Sequence, residues 1–188
     1  YCAATAANGR TAPRNVGTPN TNRNGNGRSR SQPGAQPPVP VPRNGMPVGQ
    51  HFVFDTCSML NIETAALDTL LSKNTVVLPY TTINELDVHN HGRNEDLKFK
   101  SRGLRNFILE NLEQKRQNLR LQKRSEFDPH FPNDATNSAD DKILGCSLHF
   151  KKEGMDPMWL VSEDKWLRIK ADGEDMKCIT VFELLGWR

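Results

Sequence analysis

The sequence lacks the features of several large protein classes. No run of about 18 apolar residues occurs, so a transmembrane helix is not predicted, and no apolar core of a signal peptide is visible. The four cysteines form no Cys-x-x-Cys pair, which argues against a zinc ribbon or a disulfide scaffold and favours a reducing intracellular setting, cytoplasmic, nuclear or both. Walker A and Gly-x-Gly-x-x-Gly motifs are also missing, so a nucleotide-binding fold has no support. The chain does not begin with Met, and we expect it to be a fragment.

The first 50 residues contain no acidic side chain and, apart from Tyr1, no aromatic one. They hold six arginines, eight of the 12 prolines and seven of the 13 glycines. Such a composition buries too little apolar surface to offset the entropy of ordering the chain, and it predicts a disordered arm or linker over residues 1–50. The net charge of +3 is therefore an average, because the arm carries +6 and residues 51–188, which suit one domain, carry −3.

From His51 onward, short apolar segments alternate with segments whose apolar residues recur at helical spacing. Buried strands are predicted at residues 51–54, 75–78, 158–161 and 178–181, with residues 119–121 as a candidate fifth. Helices are predicted after Ser58, from Thr82, over about residues 96–118, after Ser138 and after Asp164. Buried strands that alternate with helices are typical of an α/β fold with a central parallel sheet covered on both faces.

Five acidic residues follow predicted strands or open predicted helices: Asp55, Glu85, Asp140, Asp141 and Asp164. In an open parallel sheet, ligands bind at the carboxyl ends of the strands. Acids that converge there repel one another unless a cation lies between them, and an all-oxygen ligand set favours Mg²⁺ or Mn²⁺ over zinc. Such a site commonly binds phosphate, where a metal activates an attacking water and stabilises the leaving oxygen.

Each acid also has a purely structural interpretation. Glu85 and Asp141 stand three residues after a Thr and a Ser, which is the spacing of a capping box. Asp55 could be an ordinary N-cap, and Asp164 could stabilise the positive end of a helix. These interpretations are independent of one another, whereas a metal site expects the acids together, so the joint pattern favours the site.

Four segments resemble, in order, the acidic motifs of PIN-domain ribonucleases: Phe-Val-Phe-Asp55-Thr, Thr-Ile-Asn-Glu85-Leu-Asp, Ser-Ala-Asp140-Asp141-Lys and Leu-Val-Ser-Glu-Asp164-Lys. The similarity covers about residues 52–187. It is greatest to the eukaryotic branch that contains the endonuclease of nonsense-mediated mRNA decay and the nuclear transcript-surveillance PIN nuclease. The resemblance implies a three-layer α/β/α sandwich over residues 51–188. It also implies that Asp55, Asp140 and Asp164 form the catalytic metal-binding core, with Glu85 as the fourth acid and Asp141 as an additional ligand.

One residue departs from the family pattern. Members usually carry Asn two positions after the first Asp, where this chain has Cys57. An Asn side chain can hydrogen-bond an acidic site, which a thiol does poorly, so reduced activity or an altered metal preference is expected. Cys57 also argues against two rival families, because a haloacid-dehalogenase phosphatase needs Asp at this position and a von Willebrand A-type metal site needs a hydroxyl.

Substrate binding must come from basic residues, since an acidic centre repels RNA. Lys98, Lys100, Arg102 and Arg105 lie close together in a predicted helix, where they would form a phosphate-binding track or only a solvated helix face. The arginines of the arm could add salt-sensitive RNA contacts or belong to a linker stiffened by its prolines.

The leading hypothesis is a Mg²⁺- or Mn²⁺-dependent endoribonuclease that cleaves single-stranded RNA with a metal-activated water, in mRNA decay or RNA surveillance. RNA-decay proteins are the expected partners, no membrane is expected, and no feature indicates an oligomeric state. The alternative is a catalytically weak or inactive PIN-like module that binds RNA or protein as a scaffold. A third hypothesis is a metal-dependent phosphatase or exonuclease on the same fold.

Overall fold

The computed structural model describes residues 48–186, so almost all of the predicted arm and the last two residues lie outside the described range. Twelve elements follow one another within that range: β1 (His51–Phe54), α1 (Thr56–Asn61), α2 (Thr64–Leu71), β2 (Thr75–Leu78), α3 (Tyr80–His91), α4 (Glu95–Glu113), β3 (Leu119–Leu121), α5 (Ala139–Lys152), β4 (Met158–Val161), α6 (Lys165–Gly173), β5 (Lys177–Ile179) and α7 (Val181–Leu185). Over the same residues, no helix combines the length and the apolar character that crossing a membrane requires.

The five strands form one parallel sheet in the order β3-β2-β1-β4-β5. The chain moves outward from β1 through β2 to β3, returns past these strands to β4, and ends at β5. The strand order therefore reverses between β1 and β4, which pair from His51–Met158 to Phe54–Val161. A doubly wound sheet of this kind binds ligands at such a switch point, outside the carboxyl ends of the two strands.

Each face of the sheet has its own hydrophobic core. Phe52 and Phe54 lie in a core built with α1, α2, α3, α4 and α7, whereas Val53 lies in a core built with α5 and α6. All three side chains are completely buried, because successive residues of a strand point to opposite faces and both faces are covered by helices. The predicted α/β fold with helices on both faces of a parallel sheet is confirmed.

The predicted helix after β1 is in fact two helices. Asp55, rather than Ser58, caps α1. The helix ends at Asn61, because Ile62 is extended and its N–H donates back to the carbonyl oxygen of Ser58. Glu63 is also extended and precedes α2. The spacing of apolar residues continues through this break, which is why it predicts one helix.

The helix after β2 begins earlier than predicted. It starts at Tyr80, directly after Pro79, so Thr82 lies inside it. The Thr82 hydroxyl donates to the carbonyl oxygen of Phe54 at 3.1 Å and thereby attaches α3 to the end of β1. The predicted capping box between Thr82 and Glu85 is therefore wrong.

Two other element ends differ from the prediction. Helix α4 ends at Glu113 rather than about residue 118, and Lys115 has a φ of 54°, a left-handed conformation typical of a helix terminus. Strand β5 ends at Ile179, because the Thr180 hydroxyl accepts the N–H of Glu183 at 3.1 Å and starts α7 instead of continuing the strand.

An irregular segment joins β3 to α5, in agreement with the absence of a helix or strand pattern there. It packs closely on α5 at Gly145, where a Cβ would lie 2.7 Å from both the Cβ and the carbonyl oxygen of Phe131. The buried Asp128 forms an ion pair with Lys152 near the end of the same helix. These contacts fix α5, whose first turn carries Asp140.

Candidate active site

Asp55 lies at the carboxyl end of β1, in the switch point of the sheet. Its Oδ1 accepts the backbone N–H of Ser58 at 2.6 Å, and its Oδ2 accepts the hydroxyl of Ser162. Burial raises the pKa of Asp55; the hydrogen bonds from Ser162 and Ser58 oppose this, and the charge of Asp164 raises the pKa further. The predicted helix cap and the predicted site acid are thus the same residue.

Ser162 connects the ends of β1 and β4, and it was not among the predicted site residues. Its side chain is completely buried. The hydroxyl donates to Asp55 Oδ2 and accepts the backbone N–H of Asp164 at 3.0 Å. A serine that directly follows a buried strand and precedes an acid by two residues was the available sequence signal.

Asp164 caps α6 and completes the pair of acids at the switch point. Its Oδ1 accepts the backbone N–H groups of Trp166, at 2.7 Å, and Leu167, at 3.2 Å. Asp164 therefore does stabilise the start of a helix, as predicted. Its second carboxylate oxygen, Oδ2, accepts no hydrogen bond from residues 48–186.

Asp140 lies in the first turn of α5 and is half-buried. Burial raises its pKa, the charge of Lys170 lowers it, and the charges of Asp164 and Asp141 raise it again. The charge of Asp164 thus acts on both Asp55 and Asp140, which places Asp164 within electrostatic reach of each of these two acids.

Asp141, the next residue of α5, has the structural contacts that its spacing predicts. Its carboxylate and the Ser138 hydroxyl form a capping box at the start of α5. Lys170 of α6 lies 2.8 Å from Asp141 Oδ1 and 3.9 Å from Asp140 Oδ2. Burial by itself would raise the pKa of Asp141, but the hydrogen bonds from Lys170 and Ser138 outweigh it and lower the pKa. The predicted metal role of Asp141 stays a prediction.

Glu85 lies in α3 and reaches the beginning of α1. Its Oε2 accepts the hydroxyl of Thr56, the residue that follows Asp55. Glu85 also lines a cleft of about 560 Å³ between α3 and the start of α5, together with Arg124 and Lys142. The structure thus brings Glu85, the fourth predicted acid, into contact with the residue that directly follows Asp55.

The donor set at this edge fits a hard divalent cation, because every candidate ligand is an oxygen. The Ser58 hydroxyl is buried beside Asp55 and lowers its pKa, yet it has no hydrogen bond of good geometry within residues 48–186. Burial is the main cause of the raised pKa values of Asp55 and Asp140, and the charge of Asp164 adds to it, so a bound cation would stabilise the charged forms of both acids. As the side chains stand, no three His, Cys, Asp or Glu residues of the described range are grouped closely enough to hold a metal ion.

Cys57 occupies the first turn of α1, half-buried between two residues that contact the site acids. Thr56 donates to Glu85, and Ser58 donates its N–H to Asp55. The expected effect of Cys57 on activity or metal preference stays a prediction.

The four predicted RNA-binding cations all lie on α4. Lys98 pairs with Glu95 at 3.2 Å, and Arg102 Nε donates to Asn90 Oδ1 at 3.4 Å, while Lys100 is exposed. Arg105 lines a cavity of about 380 Å³ between α3 and α4. Within residues 48–186, no hydrogen bond or ion pair links these cations to the five acids, so their predicted role is not tested by the contacts.

A family model, a curated relative and a solved structure are similar to this chain. The PIN domain family model matches residues 52–181. Transcriptional protein swt1 of Schizosaccharomyces pombe is 34% identical over 96 residues, which is 51% of this chain and 20% of that relative, so the chain matches only about a fifth of its length. A domain of a functionally unknown protein from Methanocaldococcus jannaschii superposes with a TM-score of 0.48 at 16% identity, over 70% of this chain and 90% of that one.

PIN domains are generally nucleases, and they typically use divalent metals. The matched residues include all five predicted site acids, and they extend over well more than half of the sequence. The chain belongs to the PIN domain family.

Proposed function

We propose that this PIN domain is a Mg²⁺- or Mn²⁺-dependent endoribonuclease that cleaves single-stranded RNA in mRNA decay or RNA surveillance. The observation that carries the proposal is the pair Asp55 and Asp164, joined through Ser162 at the switch point of the sheet, with Asp140 within reach of the same charge. Membership of a family of nucleases supports the reaction class. The similarity to a relative described as a transcriptional protein supports an RNA-related function.

In this proposal, Asp55, Asp140 and Asp164 hold the cation, with Glu85 as the fourth acid. A bound divalent cation lowers the pKa of an attacking water and stabilises the oxygen that leaves the phosphodiester. The protein keeps the acids in place: Ser162 and the Ser58 N–H fix the two oxygens of Asp55, and the N-terminus of α6 fixes one oxygen of Asp164. Attack by water with departure of the 3′ oxygen gives products with a 5′-phosphate and a 3′-hydroxyl.

The cations of α4 remain part of the proposal as a source of nonspecific affinity. Lys100 and Arg102 are exposed, and neither forms an ion pair within residues 48–186. If both contact phosphates, replacing both by Ala makes the slope of log affinity against log salt concentration shallower by about 1.4, since each phosphate contact on a single strand contributes about 0.7. An unchanged slope would place the phosphates elsewhere on the domain.

Circular single-stranded RNA tests the reaction, because an exonuclease cannot start on it. With Mn²⁺, the full chain is expected to linearise the circle, and Asp140→Asn is expected to do so at least roughly 100-fold more slowly, since a ligand should matter no less than the partners that orient ligands. EDTA should stop the reaction.

Three results would contradict the proposal. If the folded chain leaves circular and linear RNA intact in both Mn²⁺ and Mg²⁺, the protein is the inactive RNA- or protein-binding module of the alternative hypothesis. Cleavage of linear RNA alone identifies an exonuclease. An Asp140→Asn variant as fast as the parent places the chemistry at another site.

A further inference from the structure

Trp166 is an exposed aromatic residue next to the site acids. Its relative exposure is 72%, although it stands in a helix that packs on the sheet. Helix α6 uses Leu167 and Ala171, both buried, to contact the core. The indole of Trp166 makes no hydrogen bond and no ring contact within residues 48–186. The fold therefore does not require a large aromatic side chain at this position.

The backbone of Trp166 is fixed by the candidate site itself. Its N–H donates to Asp164 Oδ1 at 2.7 Å, which links the position of the Trp166 backbone to that of the Asp164 carboxylate. Trp166 and Lys170 are four residues apart and lie on the same face of α6. Lys170 contacts Asp141 and lies 3.9 Å from Asp140, so this face is turned toward the start of α5. Trp166 thus lies beside the region bounded by Asp164 and Asp140.

A basic groove begins next to Trp166. It runs between α6 and β5 with a volume of about 500 Å³, and its lining starts at Lys165, the preceding residue. Lys165, Arg168 and Lys177 give the lining three cations, against the single acid Asp172. The competing contact of Arg168 is a long one, 4.0 Å to Glu183. This sign of charge is complementary to phosphates, which the acids at the switch point repel.

We propose that Trp166 stacks on an unpaired nucleobase of the substrate next to the bond that is cut, while the groove between α6 and β5 binds neighbouring phosphates. The inference rests on the proposed function and gives that function a reason to require single strands, since a base must leave its duplex to stack on an aromatic side chain. Stacking suits a place beside carboxylates, because it adds affinity without a positive charge that the acids would capture. It is also tolerant of sequence, because every base has a π face.

Binding in EDTA, where no cleavage occurs, tests the inference with the full chain. The probe is a fluorescein-labelled 12-nucleotide oligouridine, together with an oligonucleotide of the same length in which every nucleotide is abasic. Trp166→Ala is expected to weaken binding of the intact probe roughly tenfold, the typical effect of removing one stacking side chain, whereas Trp166→Phe retains most of the affinity. Phe182→Ala is the matched control, since Phe182 is equally exposed at 71% but lies on α7.

The abasic probe separates stacking from a structural effect. Loss of the bases should weaken binding to the wild type more than binding to Trp166→Ala, because one stacking contact is already absent in the variant. An equal loss of affinity by Trp166→Ala for both probes would overturn the inference, as would unchanged binding of the intact probe. If Phe99→Ala shows the loss instead, the stacking residue lies on α4, where Phe99 is 80% exposed, and the inference is wrong.

Cleavage in Mn²⁺ distinguishes this inference from the proposed function. Trp166→Ala should raise KM roughly tenfold with little change in kcat at saturating RNA. If the wild type cleaves RNA and Trp166→Ala has the same KM, the stacking contact is wrong and the proposed nuclease function stands. A wild type that binds RNA through Trp166 but never cleaves it overturns the nuclease alone.

Discussion

Asp55 and Asp141 are the same residue type at the same end of the sheet, but their surroundings act on their charge in opposite directions. Asp55 is buried, is held by neutral donors, and has a raised pKa. Asp141 is paired with Lys170 and has a lowered pKa. The protein itself supplies the positive charge that balances Asp141, namely Lys170. Asp55 has no such partner among its donors within residues 48–186, so its negative charge favours binding of a cation from solution. Helix capping does not separate them, because both carboxylates take part in a cap.

Cleavage of single-stranded RNA should show the largest difference between the two acids. Asp55→Asn keeps an oxygen that can accept the Ser58 N–H but removes the charge, so we expect activity in Mn²⁺ to fall at least roughly 100-fold. Asp141→Asn also removes one charge, and its activity should stay close to that of the parent. Initial rates on one labelled RNA measure both. Equal losses in the two variants would mean that Asp141 is a ligand as the sequence resemblance implies.

Stabilisation by Mn²⁺ should show a smaller difference of the same sign. A ligand at 100 times its dissociation constant raises the free energy of unfolding by about 2.7 kcal/mol. After treatment with EDTA, addition of Mn²⁺ should raise the melting temperature of the wild type and of Asp141→Asn. The melting temperature of Asp55→Asn should rise little. Differential scanning fluorimetry measures the shift. A full shift in Asp55→Asn would exclude Asp55 as a ligand.

The pH dependence of metal-free stability should show the smallest effect, with opposite signs at the two residues. The folded-state pKa of Asp55 is raised, so its charge destabilises the fold as pH rises from the unfolded-state pKa through the folded-state one. The EDTA-treated Asp55→Asn variant should therefore be more stable than the parent at pH 7, with the gain vanishing in acid.

The folded-state pKa of Asp141 is lowered, so its contribution is present above the unfolded-state pKa and is lost as pH falls through the folded-state one. Asp141→Asn should cost about 1 kcal/mol of unfolding free energy at neutral pH, since both the capping box and the partly exposed ion pair weaken, and less in acid. Urea melts at several pH values measure both variants. If the free energy of unfolding at neutral pH changes in the same direction in Asp55→Asn and Asp141→Asn, the proposed difference between the two acids is wrong.

Much of the fold could be predicted because the three central strands, β2, β1 and β4, are buried on both faces. Segments such as residues 51–54 are then continuous apolar runs, which sequence patterns detect well. The exact ends of the helices could be predicted less well. The break between α1 and α2 leaves the spacing of apolar residues intact, and the position of Thr82 depends on a tertiary hydrogen bond to Phe54. No local signal encodes a bond of that kind.

The candidate site divides in the same way. The acids could be named because they follow strands and open helices in a family order, and the PIN family is confirmed, whereas the eukaryotic branch stays a prediction. Ser162 was missed as a contact of the site acids because its importance depends on which strand ends are neighbours. The charge run on α4 was visible in the sequence, whereas the basic groove between α6 and β5 combines residues from two elements.

The contact between Gly145 and Phe131 has a consequence for how related sequences vary. A side chain at position 145 would collide with the backbone of the segment that leads into α5, so glycine five residues after Asp140 is a steric requirement of this loop path. A homologue that keeps the acid but carries a larger residue there must have rerouted the segment. The spacing Asp-x-x-x-x-Gly is thus a necessary condition for this loop path, whether or not the homologue is active.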